Sequence, residues 1–73
     1  MIPLRLDDLD PDGVKVTVRW DEFVVGASIF IPCINTEKAK KQLKRVAHMK
    51  QYKTTIQICI ENGMWGVRMW RLL

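Results

Sequence analysis

Residues 54–71 read TTIQICIENGMWGVRMWR, and this stretch decides the fold. Asn62-Gly63 in its middle is a strong signal for a two-residue β-hairpin loop, because both residues tolerate the positive φ of a type I′ turn. We predict that Thr54–Glu61 and Val67–Leu72 form the arms of this hairpin, although Gly66 alternatively marks a bulge or a longer loop. The predicted pairs on one face are Ile60–Trp65, Ile58–Val67 and Ile56–Met69. The predicted pairs on the other face are Glu61–Met64, Cys59–Gly66, Gln57–Arg68 and Thr55–Trp70.

Two more strands are predicted earlier in the chain. Val14–Trp20 alternates apolar and polar residues, which is typical of a half-buried strand whose outer face carries Lys15 and Arg19. Ala27–Cys33 is rich in β-branched and aromatic residues, which favours a second strand. Because Pro32 cannot donate a ladder hydrogen bond, we expect it near the end of that strand or at a sheet edge.

A helix is predicted between the second strand and the hairpin. Asn35 or Thr36 caps its start, and about four turns bring its end to between Met49 and Tyr52. One side forms an apolar stripe that can dock on a sheet. The stripe consists of Ala39, Leu43, Val46 and Ala47. The opposite arc consists of Lys38, Lys40, Lys41, Lys44, Arg45 and His48.

The predicted fold is therefore α+β, in the order β-β-α-β-β, with one amphipathic helix on one face of an antiparallel sheet. The chain has 73 residues, of which 48% are hydrophobic and 27% charged, which fits one small domain and excludes a disordered tail. Within that domain, residues 1–13 are interpreted as an irregular acidic lead-in and residues 14–73 as the folded core.

Charge is distributed unevenly along the chain. Residues 1–34 carry three bases and six acids for a net charge of −3, whereas residues 35–73 carry nine bases and two acids for +7. The whole chain is thus basic at +4. A basic second half favours a polyanionic partner for that half.

The sequence offers little for catalysis, metal binding or membrane insertion. His48 is the only histidine, and neither a catalytic triad nor a phosphate-loop glycine pattern is present, so we predict no enzyme, cofactor, metal site or small-molecule substrate. The apolar run Phe23–Ile34 is far shorter than the roughly 20 residues that span a bilayer, so no membrane association is expected. Cys33 and Cys59 allow one disulfide by count, but without a secretory leader we favour a reducing cytoplasm and two packing thiols.

Three candidate binding surfaces follow from this arrangement. The open face of the sheet offers a tryptophan for base stacking beside cationic and amide groups. Its candidates are Lys15, Arg19, Gln57, Arg68 and Trp70. The outer arc of the helix offers cations to a phosphate backbone. Its candidates are Lys40, Lys41, Lys44 and Arg45. Met64 and Trp65 at the hairpin tip offer an apolar patch for a partner protein or a second copy. For Trp70 the alternative is a core position under the lead-in.

Two segments resemble a known group of proteins. VGASIFIP at residues 25–32 is similar to a VGxSxF[VI]P segment of small uncharacterised tailed-phage proteins, and GVRMWR at residues 66–71 is similar to their closing strand. Those proteins also carry a basic helix between the two segments. The resemblance covers roughly residues 20–73. It implies a virus-encoded protein in the cytoplasm of an infected bacterium, with a non-enzymatic auxiliary role and no catalytic residue to transfer.

Two functions remain open from the sequence. The first is a small phage-like protein that binds nucleic acid, mainly through electrostatic contacts. The second is a phage protein that binds a host bacterial protein and modulates it. Because the helix arc and the open sheet face lie on opposite sides, one duplex contacts both only if the protein bridges or forms a homodimer. A virion assembly role is disfavoured, since no heptad pattern or long exposed strand is evident.

Overall fold

The computed structural model describes residues 8–73 and shows one helix packed on a three-stranded sheet. The strands are β1 (Ser28–Pro32), β2 (Thr54–Glu61) and β3 (Met64–Arg71), and the helix is α1 (Thr36–Met49). All pairing is antiparallel in the order β1-β3-β2, so β3 is central and β2 lies at an edge. The predicted α+β class is confirmed.

The hairpin has the predicted turn and the predicted register. Asn62 and Gly63 have φ angles of 52° and 76°, as a type I′ turn requires. Ile58 pairs with Val67 and Gln57 pairs with Arg68, and every other predicted pair is also present. Gly66 pairs regularly with Cys59, and β3 begins at Met64, so the bulge or longer loop that it alternatively allowed is not formed.

The prediction of a strand at Val14–Trp20 is wrong. Val16 makes only an isolated bridge to Leu9, with N–H to carbonyl distances of 3.0 and 2.6 Å, and Trp20–Glu22 is a short 3-10 helix. A tight turn before this segment, in which the Gly13 N–H donates to the Asp10 carbonyl, folds it back on the lead-in instead of onto the sheet. Residues 8–73 therefore contain three strands where four were predicted.

The core lies between α1 and the sheet and continues into the N-terminal segment. The predicted stripe of α1 is buried, and Leu43 and Val46 are fully covered together with Val67 and Met69 of β3. Leu9 also belongs to this core and is completely buried. The packed structure thus reaches into residues 8–13, whereas the part of the lead-in at residues 1–7 lies outside the described residues.

Two acidic residues of the lead-in tie it to α1. Asp10 and Gln42 bond reciprocally, since the Asp10 N–H donates to Oε1 of Gln42 at 2.8 Å and Nε2 of Gln42 donates to the Asp10 carboxylate at 2.6 Å. The Asp12 carboxylate accepts the backbone N–H groups of Ile34 at 2.9 Å and Asn35 at 2.8 Å. Asn35 in turn caps α1, because its side chain accepts the Lys38 N–H at 3.1 Å. Asp12 therefore fixes the residues that precede the helix, and Asp10 ties the lead-in to the middle of α1.

We predict that Asp12→Asn lowers the melting temperature at neutral pH and that the deficit shrinks in acid. Hydrogen bonds from the backbone N–H groups of Asn35 and Ile34 hold the pKa of Asp12 below its ordinary value of 3.8. A lowered folded-state pKa adds stability above the unfolded value, and this stability is lost as pH falls through the folded pKa. Thermal melts of both proteins between pH 7 and pH 2 measure the effect.

The matched control for Asp12 is Asp21→Asn, because Asp21 is an exposed acid of the 3-10 helix. We expect this control to melt with the wild type at neutral pH. Equal melting temperatures of wild type and Asp12→Asn at pH 7, or a gap that does not narrow in acid, would contradict a stabilising carboxylate at this position.

Candidate nucleic-acid interface

The outer face of α1 carries the largest group of exposed cations in the described structure. The face is defined here as the basic face, and it consists of Lys38, Lys40, Lys41, Lys44, Arg45 and His48. Lys40 is half-buried and the other members are exposed. Within residues 8–73, no acidic side chain forms an ion pair with Lys40, Lys41, Lys44 or Arg45. The predicted helix arc is thus assembled as one continuous surface.

The like-charged pairs on the basic face are unfavourable for the helix that carries them, whereas Glu37, four residues before Lys41, is favourably placed. Lys40 and Lys44, and likewise Lys41 and Arg45, are four residues apart and therefore neighbours on the helix surface. Like charges at this spacing cost roughly 0.2–0.5 kcal/mol per pair. Burial of the opposite, apolar face of α1 offsets that cost, so the fold tolerates the charges without requiring them. An anionic partner would turn the repulsion into attraction.

The open face of the sheet is organised differently from its prediction. Gln57, Arg68 and Trp70 do lie on this face, because the register places Gln57 opposite Arg68 and Thr55 opposite Trp70. Lys15 and Arg19 do not join them, since their segment is not a strand. Lys15 instead lies 3.9 Å from the carboxylate of buried Asp8, and Arg19 lies 3.6 Å from Glu22.

The Arg68 guanidinium is bound to other side chains of the sheet and is not free to contact nucleic-acid bases. Its Nε and Nη2 donate to the two oxygens of Glu61 at 2.5 and 2.6 Å, and its Nη1 donates to Oγ of Ser28 at 2.7 Å. The guanidinium also lies over the Phe30 ring, 5.7 Å from its centroid. These contacts join all three strands. Hydrogen bonds from Arg68 lower the pKa of Glu61, and the same bonds raise the pKa of Arg68.

The remaining members of the open face give it little positive charge. Gln57 is exposed and Trp70 is half-buried. The Trp70 ring is therefore only partly accessible for stacking on a base, and it does not belong to the main core. Leu9 of the lead-in belongs to the helix-side core, which does not include Trp70, and residues 1–7 of the lead-in lie outside the described residues. Arg71 lies opposite Thr54 on the helix side of the sheet and is not an open-face cation; it donates to the Phe23 carbonyl at 2.8 Å and stacks 3.9 Å from the Tyr52 ring centroid. Exposed positive charge is therefore concentrated on α1.

The hairpin tip forms an apolar groove that the sequence only partly indicated. Met64 and Trp65 are 54% and 58% exposed, and they border a shallow cleft of about 380 Å³. Pro32, Cys33 and Ile34 line the cleft with them, and Asp12 lies at its rim. The sequence feature that could have indicated this groove is Ile34, an apolar residue just after the proline that ends β1. In the structure Ile34 is 89% exposed.

Neither cysteine forms a disulfide. Cys33 is buried in the core, as expected of a packing thiol. Cys59 is half-buried on the open face, where partial burial and its hydrogen bond to Glu61 raise the pKa of the thiol. Among residues 8–73, no cluster of three or more His, Cys, Asp or Glu side chains is placed to hold a metal ion. The helices of this same part of the chain are too short and too polar to cross a membrane.

Comparison with known proteins adds no relative to these observations. No protein-family model, no curated protein and no solved structure matches the chain.

Proposed function

We propose that this protein binds nucleic acid without catalysis, through contacts of the basic face with the phosphate backbone. The observation that carries the proposal is the cluster of Lys40, Lys41, Lys44 and Arg45, in which Lys40 is half-buried and the other three are exposed, and which has no acidic ion-pair partner within residues 8–73. The open sheet face is not part of the proposed contact, since its arginine is neutralised by Glu61.

The spacing of these cations fits a phosphate backbone. Lys38 to His48 spans ten residues, which at 1.5 Å per residue is about 15 Å of helix. Phosphates of one DNA strand follow each other every ~3.4 Å along the axis, so roughly four lie within that length. Each phosphate that is neutralised contributes about −0.9 to the slope of log K against log salt concentration. A slope of roughly −3 to −4 is therefore expected for one protein on duplex DNA.

Sequence selectivity is expected to be weak. Base edges are read chiefly by arginine, asparagine and glutamine side chains, whereas phosphate contacts position a protein without reading sequence. Gln42, the one amide side chain within α1, is buried and bonded to Asp10. Arg45 is then the single guanidinium on a face that otherwise consists mainly of lysines. We expect affinities in the range of non-specific binding, roughly 10⁻⁴ to 10⁻⁶ M at physiological salt.

A salt titration tests the proposal. Fluorescence anisotropy of labelled 30-base-pair DNA, of single-stranded DNA and of RNA, each between about 50 and 200 mM salt, gives the affinity and its salt slope. Binding to arbitrary sequences that weakens about a hundredfold over this range supports backbone recognition. No binding to any of the three probes at the lowest salt concentration would refute it.

The alternative is a bacterial host protein as partner, and the apolar groove at the hairpin tip is the observation that favours it. The proposed setting for either function is the cytoplasm of an infected bacterium, on the strength of the resemblance to small tailed-phage proteins. Pull-down from bacterial lysate with and without nuclease separates the two functions. Capture of one host protein that survives nuclease supports the alternative, whereas capture that nuclease abolishes supports nucleic acid.

A further inference from the structure

The outer edge of β2 has no partner strand within residues 8–73. Just before β2, the N–H and carbonyl of Lys53 both bond to the C-terminal residues that follow β3, with the Leu72 N–H at 2.7 Å from the Lys53 carbonyl. In an antiparallel strand, the backbone N–H and carbonyl groups of every second residue bond to the same neighbouring strand. The backbone groups of the odd-numbered residues of β2 therefore point toward β3, as those of Lys53 do. The backbone groups of Thr54, Ile56, Ile58 and Ile60 therefore face outward.

This edge lacks the features that usually block strand addition. β2 is eight residues long and contains no proline or lysine, whereas β1 at the other edge has five residues and ends in proline. Ile58 and Ile60 are 38% and 55% exposed, and Trp65 lies beside Ile60 at 58% exposure. An unpaired strand edge thus runs along an exposed apolar strip on the helix side of the sheet.

We propose that a second copy of the chain pairs with this edge, β2 against β2 and antiparallel, about a two-fold axis at Gln57. Ile56 then lies opposite Ile58 of the second copy, and Thr54 lies opposite Ile60. The outward backbone groups of these residues satisfy one another across the new strand pair. Each copy contributes the same residues to the strand pair, as a two-fold interface requires.

Charge complementarity selects this partner and this register. Pairing about Gln57 places Lys53 opposite Glu61 of the second copy at both ends of the interface. Lys53 is exposed, and the carboxylate of Glu61 keeps acceptor capacity beyond its bonds to Arg68. A register shifted by two residues would set Lys53 opposite either Gly63 or Cys59 of the second copy and lose both ion pairs. The chain is otherwise basic, so these two contacts offset part of the repulsion between copies.

The resulting assembly has room for both helices. A two-fold axis perpendicular to the sheet keeps both copies of α1 on the same face of a six-stranded sheet. Strands are spaced by about 4.8 Å, so helices centred over the two β3 strands lie roughly 14 Å apart. This exceeds the ~10–12 Å diameter of a helix with its side chains. Under the proposed function, the two basic faces would point the same way, but the pairing does not depend on nucleic acid.

A designed disulfide tests the register directly. Thr55 lies opposite Cys59 of the second copy in a non-hydrogen-bonded pair, where Cα atoms are about 4.5 Å apart and a disulfide fits. Under mild oxidation, Thr55→Cys should give a covalent dimer on non-reducing electrophoresis through the native Cys59. Thr54→Cys is the matched control, because Thr54 lies on the opposite face of the strand and should remain monomeric on the gel. Equal crosslinking of both variants, or none in Thr55→Cys, would overturn the register.

Solution mass tests the association itself. At about 0.1 mM, sedimentation equilibrium should give twice the 8.5 kDa chain mass for the wild type. Lys53→Glu places like charges at both ends and should raise the dimer dissociation constant roughly tenfold. Ile34→Lys, an exposed isoleucine outside β2, is the control and should leave the dimer intact. A wild type that stays at 8.5 kDa overturns the proposal, and since no nucleic acid is present, this outcome leaves the proposed function standing.

Discussion

Glutamine in place of Lys40, Lys41, Lys44 and Arg45 should reduce the affinity for duplex DNA at least about a hundredfold at 50 mM salt, and should bring the salt slope from roughly −3 to −4 close to zero. The reason is the loss of the charges that release counterions from the phosphates. Glutamine has a high helix propensity, so α1 is expected to remain folded. Anisotropy titrations at several salt concentrations measure both quantities.

The free energy of unfolding of this four-glutamine variant should stay the same or rise slightly, although its affinity for DNA falls. Removing the two like-charged pairs, Lys40 with Lys44 and Lys41 with Arg45, relieves roughly 0.2–0.5 kcal/mol of repulsion per pair. Urea unfolding is therefore expected to show an unchanged or slightly more stable protein. A loss of binding that accompanies unfolding would instead indicate that these residues act through the fold.

Single substitutions provide a charge-matched control for the basic face. Lys41→Gln and Arg19→Gln both change the net charge from +4 to +3, but only Lys41 lies on α1. We expect Lys41→Gln to make the salt slope less negative by about 0.9 and Arg19→Gln to leave it unchanged. Equal effects of the two variants would show that net charge, and not the basic face, determines binding.

Alanine in place of Gly66 should destabilise the protein strongly, and valine should prevent folding. Gly66 is a buried residue in the middle of the sheet, and a Cβ atom there would lie 2.5 Å from Cζ of Phe30 and also collide with the Ile31 carbonyl. Overpacking of this kind costs roughly 1–3 kcal/mol, and here β1 itself must move. A chain of this size has only about 4–11 kcal/mol of total stability. Urea unfolding monitored by circular dichroism measures the loss.

A double-mutant cycle with Phe30→Ala separates the two collisions at Gly66. Removing the Phe30 ring should recover part of the stability lost in Gly66→Ala, while the collision with the Ile31 carbonyl remains. The coupling between the two substitutions is therefore expected to be favourable. Additive losses would contradict a direct contact between the ring and this position, and a Gly66→Ala protein as stable as the wild type would contradict the packing of β1 on β3.

The hairpin and the helix were predictable because their signals are local. Asn62-Gly63 specifies its own turn, and a two-residue loop leaves one register for every pair that follows. The stripe through Leu43 and Val46 likewise specifies which side of α1 is buried, and the basic face is simply the other side. Both predictions depend on residues that are neighbours in sequence, so tertiary contacts were not needed to make them.

The segment Val14–Trp20 shows what alternation cannot determine. The alternation of apolar and polar residues indicates that the apolar side of the segment is buried, and Val16 and Val18 do pack against the core. The period does not say which backbone groups the segment bonds to, and the turn at Asp10–Gly13 supplies Leu9 as a local partner. Lys15 and Arg19 were consequently assigned to a sheet face from which they are absent.

The ion pair between Arg68 and Glu61 could have been inferred from the predicted register, although Arg68 was predicted to be a free cation. Both Arg68 and Glu61 fall on the same face of the predicted hairpin, and Gly66 between them has no side chain to block the approach. Arg68 lies four residues beyond Met64, the residue opposite Glu61, so the ion pair forms only because the long arginine side chain extends across Gly66. By contrast, the bonds of Asp10 to Gln42 and of Asp12 to Ile34 join residues 32 and 22 positions apart, and no local pattern predicts them.

Chemical-shift mapping is the most direct test of where nucleic acid binds. Titration of ¹⁵N-labelled protein with an unlabelled DNA duplex at low salt should shift the backbone amides of residues 37–48 and leave those of Thr55, Gln57 and Trp70 in place. Shifts confined to the open sheet face or to the hairpin tip would contradict the assignment of the basic face as the contact surface, as would a spectrum that DNA does not change.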